Sequence, residues 1–152
     1  MKLFISVFIS ILCGISSLFV DEISNNAEVN NTNVKIIIKG IRSDKGKIVL
    51  AVFKDQEGFK SRKPVKRIEL NKDELEKNEI QLNLDMGIYG ISVFDDENDN
   101  NKMDYNFFGI PKEGFGFSNY YHKGYSKPHF DKFKFVVIKD NLILIEIQLR
   151  YM

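Results

Sequence analysis

Acidic and amide side chains crowd one short stretch of this chain, Asp95 to Asp104 (DDENDNNKMD). Asp96, Asn98, Asn100 and Asp104 fall at positions 1, 3, 5 and 9 of a D-x-N-x-N-x-x-x-D spacing. Alternate residues of a tightly curled loop point inward, so short oxygen side chains at this spacing can meet one cation, with the carbonyl of Lys102 at the backbone-ligand position. Every donor is a hard oxygen, which suits calcium rather than a transition metal. Asn101 stands where the loop's turn glycine belongs, and Asn enters the left-handed region more readily than most residues. Position 12 is Phe107, so the bidentate glutamate of an EF-hand is missing. With two charged ligands, calcium affinity is expected in the low range of extracellular modules, about 10⁻⁴–10⁻³ M. The same residues equally suit a structural turn in which Asp and Asn cap their own backbone, and both readings stand open.

Next along the chain, Tyr105 to Phe130 holds nine of the nineteen aromatic residues together with Gly109, Gly114, Gly116 and Gly124. A connection this long inside a small domain is usually functional or disordered. Its aromatics argue for order, as an Ω-like lid over the end of the domain that serves as satellite core or as a binding surface. A small ligand or an envelope protein would dock there. Gly114-Phe115-Gly116-Phe117 is no phosphate loop, because no Lys-Ser/Thr follows it. The stretch also carries both histidines, His122 and His129. Ser118-Asn119 beside His122 could suggest a nucleophile and its base, but no orienting acid is evident. A hydrolase site near His122 and His129 is therefore the alternative to a non-enzymatic binding module.

The elements that must position these residues are strands. Val34–Lys39 alternates apolar and polar residues, whereas Lys47–Lys54 is apolar on both faces, as a central sandwich strand should be. Val65–Leu70 is more charged and suits an edge. Ile80, Leu82 and Leu84 alternate with Gln81 and Asn83, and Ile88–Phe94 is again apolar on both sides. Phe133–Ile138 and Leu142–Leu149 complete the set, joined by Lys139-Asp140-Asn141 as a short hairpin. Val52, Val93, Phe94, Val137 and Ile145 are the expected core. Asn71–Lys77 could form a helical turn, but no long amphipathic helix is present. About seven strands at this spacing predict an all-β fold, a single antiparallel β-sandwich in residues 34–152 with a long aromatic loop.

Composition bounds the function classes. The chain has 152 residues, 43% apolar and 28% charged, with a net charge of +1. Such balance argues against nucleic acid as a partner. Residues 1–20 (MKLFISVFISILCGISSLFV) have the basic start, apolar run and small-x-small site of an export signal. The alternative is an uncleaved anchor, the chain's one route to a membrane. Residues 21–33 are Asn-rich and read as a flexible spacer. Cys13, the single cysteine, lies in the leader, so the domain has no disulfide. A periplasmic or secreted location follows.

Three segments carry a resemblance: GIRSDKGKIVLAVFKDQEGF (Gly40–Phe59), MGIYGISVFDDENDNNKMD (Met86–Asp104) and NFFGIPKEGFGFSNY (Asn106–Tyr120), the last followed by Lys127-Pro128-His129-Phe130-Asp131. Together they resemble DUF2141, a bacterial family of unknown function. That resemblance implies an exported, transthyretin-like or immunoglobulin-like sandwich. The chain departs from the family pattern at Asp95, where His is common, and at Asn101, where Gly is common.

Overall fold

A computed structural model describes residues 33–152. The expected leader, and the spacer as far as residue 32, lie outside the described residues. Asn33 already belongs to the domain: its side chain accepts from Leu84 N–H at 3.0 Å and its backbone N–H donates to Leu82 O at 3.2 Å.

Eight strands form two facing sheets. They are β1 (Val34–Lys39), β2 (Lys47–Phe53), β3 (Lys66–Asn71), β4 (Glu79–Leu82), β5 (Gly87–Asp96), β6 (Phe115–Phe117), β7 (Lys134–Val137) and β8 (Ile143–Gln148). One sheet has the order β4-β1-β8. The other runs β3-β2-β5-β6, and β7 also pairs with β5. The long strand β5 meets β7 along Gly87–Gly90 and β6 along Ser92–Phe94. The two short strands therefore share one edge of β5.

Period-2 alternation explains the core. Ile36 and Ile38 of β1 and Ile145 and Ile147 of β8 face Ile48, Leu50 and Val52 of β2 and Ile91 and Val93 of β5, all essentially inaccessible. Each such side chain contributes about 1.5–3 kcal/mol of burial free energy. The outer face of the five-stranded sheet carries a second, aromatic core of Phe53, Phe59, Phe117, Phe130 and Phe133. Phe59 is delivered by a short helix, α1 (Gln56–Lys60), whose N-cap Asp55 accepts from Gly58 N–H at 2.7 Å. Its ring meets Phe53 and Phe133 edge-on, with centroids 5.3 and 4.9 Å apart.

The all-β sandwich expected from the sequence is the observed architecture, with β2 central, β3 at an edge and the Asn71–Lys77 stretch as two short 3-10 turns. Four details differ. First, not every pair is antiparallel: β1 and β8 run parallel, from Val34 opposite Ile143 to Lys39 opposite Gln148. Second, the expected hairpin at Lys139–Asn141 does not form, because β7 pairs with β5 while β8 pairs with β1; Asp140, at φ 55°, turns the chain from one sheet into the other. Third, part of the aromatic stretch is strand rather than lid, namely β6. Fourth, Phe94 is only half buried, since its neighbour Val93 takes the inward position and alternation sends Phe94 to the outer face.

Candidate functional site

Two regions bring together the residues whose chemistry the sequence singled out. The first is the acidic loop at the end of β5. Alternation aims Asp95 into the interior and Asp96 outward, and both are fully buried. Asp95 meets Lys72 Nζ at 2.5 Å in an ion pair with almost no solvent access, and accepts from the Tyr151 hydroxyl at 2.6 Å. Lys72 also donates to Ser43 O at 2.8 Å. Burial, reinforced by the bond to Asp95, holds the Tyr151 phenol well above its ordinary pKa. Nearby, Glu97 is clasped by the Arg42 guanidinium and accepts from Ser43 Oγ at 2.9 Å; the Arg42 bond holds its carboxyl below the usual range.

Asp96 organises the loop. Its oxygens accept from Asn100 N–H at 3.0 Å and Asn101 N–H at 2.7 Å. Asn98 Nδ2 and Asn100 Nδ2 both donate to Asp104 Oδ2, at 2.6 and 2.9 Å. Asn101 takes the left-handed conformation expected of it, φ 64°, and Asp99 does so too at φ 60°. Asp96, Asn98, Asn100 and Asp104 are thus gathered by one curl of chain. Hydrogen bonds among themselves close it, as the structural-turn reading requires. Among the described residues, no three His, Cys, Asp or Glu side chains stand close enough to form a metal-holding group by themselves.

Glu113 is the member of this region that spacing arguments missed. It is 4% exposed. Oε2 accepts from Asp104 N–H at 3.0 Å, and Oε1 is buried without a hydrogen-bond partner. Burial raises its pKa, and the charges of Asp96, Asp104 and Asp95 add to the rise. The available signal was its place just before the Gly-Phe-Gly-Phe alternation of a strand that borders β5.

The second region is a hollow of about 450 Å³ on the outer face of the five-stranded sheet. Ala51, Ser92 and Phe94 of β2 and β5, Phe115 and Phe117 of β6, and Phe59, Met103 and Tyr105 line it. A volume of this size suits a small organic ligand. Arg62, Arg67, Lys102 and Lys127 also line it, and no Asp or Glu does. Arg67 is engaged by Glu69 at 2.9 Å and donates to Asn101 O at 3.1 Å, which ties the hollow to the acidic loop. Arg62, Lys102 and Lys127 enter no ion pair among those of the described residues. The Lys127 ammonium lies 5.3 Å from the Phe59 ring centroid. Desolvation lowers its pKa, and the charge of Arg62 lowers it further.

The histidines separate. His122 lines the hollow, with Nε2 2.5 Å from Ser126 O, whereas His129 lies in an ion-pair geometry with Asp131 at 3.1 Å, before the turn that buries Phe130. Ser118 is fully buried. Its hydroxyl donates to Phe133 O at 2.5 Å and accepts from Ile91 N–H at 3.0 Å, and no hydrogen bond joins it to His122. Ser118 stitches backbone together, which is not the arrangement of an activated nucleophile.

The family model described as "Uncharacterized protein conserved in bacteria (DUF2141)" matches residues 36–144. The chain belongs to the DUF2141 family. In this member the matched region runs from β1 into β8 and contains both the acidic loop and most of the hollow. Neither a curated protein nor a solved structure matches the chain.

Proposed function

We propose that this DUF2141 protein is an exported, non-enzymatic binding module of the bacterial cell envelope, and that its hollow takes a small ligand with an apolar body and an anionic group. One observation carries the reading: Arg62 and Lys127 stand together without a carboxylate partner beside an aromatic hollow whose lining contains no acidic residue. Desolvation and the charge of Arg62 both disfavour the charged form of Lys127, and an anion joining them would favour it again. The aromatic lining buries the apolar part of the ligand. The leader sequence supports delivery outside the cytoplasm.

Isothermal titration with three probes of one chain length tests the proposal: laurate below its micelle-forming concentration, dodecanol and dodecyltrimethylammonium. Laurate should bind with 1:1 stoichiometry and at least about tenfold more tightly than the cationic probe, the effect of one or two charge-assisted bonds. The double variant Arg62→Ala/Lys127→Ala should remove that preference and leave dodecanol binding unchanged. Equal or tighter binding of the cationic probe would overturn the reading.

A further inference from the structure

Continuing the β5–β6 register from Phe94 opposite Phe115 places Gly114 opposite Asp95 and Glu113 opposite Asp96. The bond from Asp95 N–H to Gly114 O at 2.8 Å shows that the ladder does continue. Two buried carboxylates, Asp96 at the end of β5 and Glu113 two residues ahead of β6, are therefore brought to the same end of the ladder, an arrangement that repels. Asp104, half buried, brings a third carboxylate to the same place, since its backbone N–H donates to Glu113 Oε2. None of Asp96, Asp104 and Glu113 enters an ion pair among the described residues; the nearby Lys47 is taken by Glu69 and Asp99 at 3.3 and 2.8 Å. Buried negative charge without a cation is costly, and it is relieved either by protonation, toward which the raised pKa of Glu113 points, or by a counter-cation.

We propose that Glu113 completes a calcium site with the Asp96–Asp104 loop. The spacing of the loop calls for a bidentate carboxylate at position 12, where Phe107 stands. In the folded chain, residues 106–110 form an excursion closed by the Tyr105–Pro111 bridge, and the strand behind it returns Glu113 to the loop. Asp96, Asp104 and Glu113 supply the charge; they do not yet stand at metal-holding distance from one another, so the ion must draw them together. Asn98 and Asn100 turn their amide oxygens inward, exchanging their bonds to Asp104 for the ion, and the Lys102 carbonyl adds a backbone donor. With Glu113 bidentate, this set reaches the six to eight oxygens that calcium takes, at about 2.3–2.6 Å. Three charged ligands rather than two raise the expected affinity above that of the loop alone. The unpartnered Oε1 of Glu113 is the atom that the loop by itself leaves unexplained.

Thermal melts of the purified protein in chelator, in calcium and in magnesium decide the matter, with calcium itself as the probe. At a hundredfold excess over Kd, calcium should raise the Tm by about 10 °C, and magnesium should do far less. Glu113→Gln keeps an acceptor for Asp104 N–H. It should melt in chelator at the wild-type temperature or higher, yet bind calcium at least about tenfold more weakly, the scale on which ligand charge tunes such sites. Asp104→Asn provides a second variant with the same expected loss. A wild type indifferent to calcium overturns the site, and a Glu113→Gln variant with the full calcium shift overturns the role of Glu113. The melts read metal binding alone, so their outcome is independent of the ligand in the hollow.

Discussion

Removing Lys72 should be among the most damaging single changes outside the apolar core. Its ammonium and the Asp95 carboxylate are paired at 2.5 Å with side-chain exposures of 3% and 0%. Lys72→Met retains the length and apolar stem of the side chain and deletes the charge. Asp95 is then left with the Tyr151 hydroxyl alone, and Ser43 O loses its donor. Leaving one charge of a buried pair uncompensated costs about 3–5 kcal/mol. For a domain of about 120 residues the unfolding entropy is about 0.25 kcal/mol per degree, so the Tm should fall by about 12–20 °C. Circular dichroism melts and urea titrations provide the two measures. The double variant Lys72→Met/Asp95→Leu removes both charges and should be less damaged than Lys72→Met, because an apolar replacement of a buried pair is often tolerated. A loss below about 1 kcal/mol for Lys72→Met would place the pair in the range of solvated ones and refute the picture of a dry pole. A double variant worse than the sum of the singles would refute it as well.

Two further outcomes follow from the geometry. Gly116 faces the opposite sheet so closely that a Cβ would lie 2.6 Å from Ile147 Cγ2 and 2.9 Å from Gln148 O; Gly116→Ala should therefore cost about 1–3 kcal/mol, read from the urea midpoint, and unchanged stability would contradict the close approach. Lys127 has a folded-state pKa below the ordinary lysine value, so its charge is lost as pH rises through that lowered value, before an unperturbed lysine would titrate. Laurate affinity should fall over the same range, and binding just below it should take up protons, seen as a dependence of the titration heat on the buffer's ionisation enthalpy; pH-independent affinity up to the ordinary lysine range would remove Lys127 from the site.

Alternation carried most of what was legible in advance. Val34–Lys39 read correctly, and Lys47–Lys54 and Ile80–Leu84 within two residues of the observed Lys47–Phe53 and Glu79–Leu82, because a half-buried or buried strand writes its period into side-chain polarity. Phe94 was misplaced because an apolar run does not say which of its two faces is the core. The β6 strand was hidden by its glycines: Gly114 and Gly116 look like loop residues, but they occur where the chain passes within reach of Tyr151 and Ile147. Partner choice was illegible too. Nothing local in Lys139–Asn141 tells a hairpin from a crossing between sheets, and long-range pairing decided it. The acidic loop was legible in its first nine residues, while Glu113 lay beyond any fixed spacing. Asp96 is more than a charge at the mouth of the loop. Both its oxygens hold backbone N–H groups, so Asp96→Asn would disturb the turn itself, and Glu113 and Asp104 are the better places to test for the ion.

The parallel pairing of β1 with β8 sets how the domain would bear a pull. Because the first and last strands run side by side in the same direction over six residue pairs, the chain enters at one pole of the sandwich and leaves at the other. Tension between the two ends would drag β1 and β8 past each other lengthwise. Their hydrogen bonds, evenly spaced in a parallel ladder, would be loaded together in shear instead of opening one after another like a zip. A domain tied at residue 33 to whatever precedes it, and held at its far end by something else, would transmit force along its strands and keep the acidic loop, at the pole away from residue 33, clear of the tether.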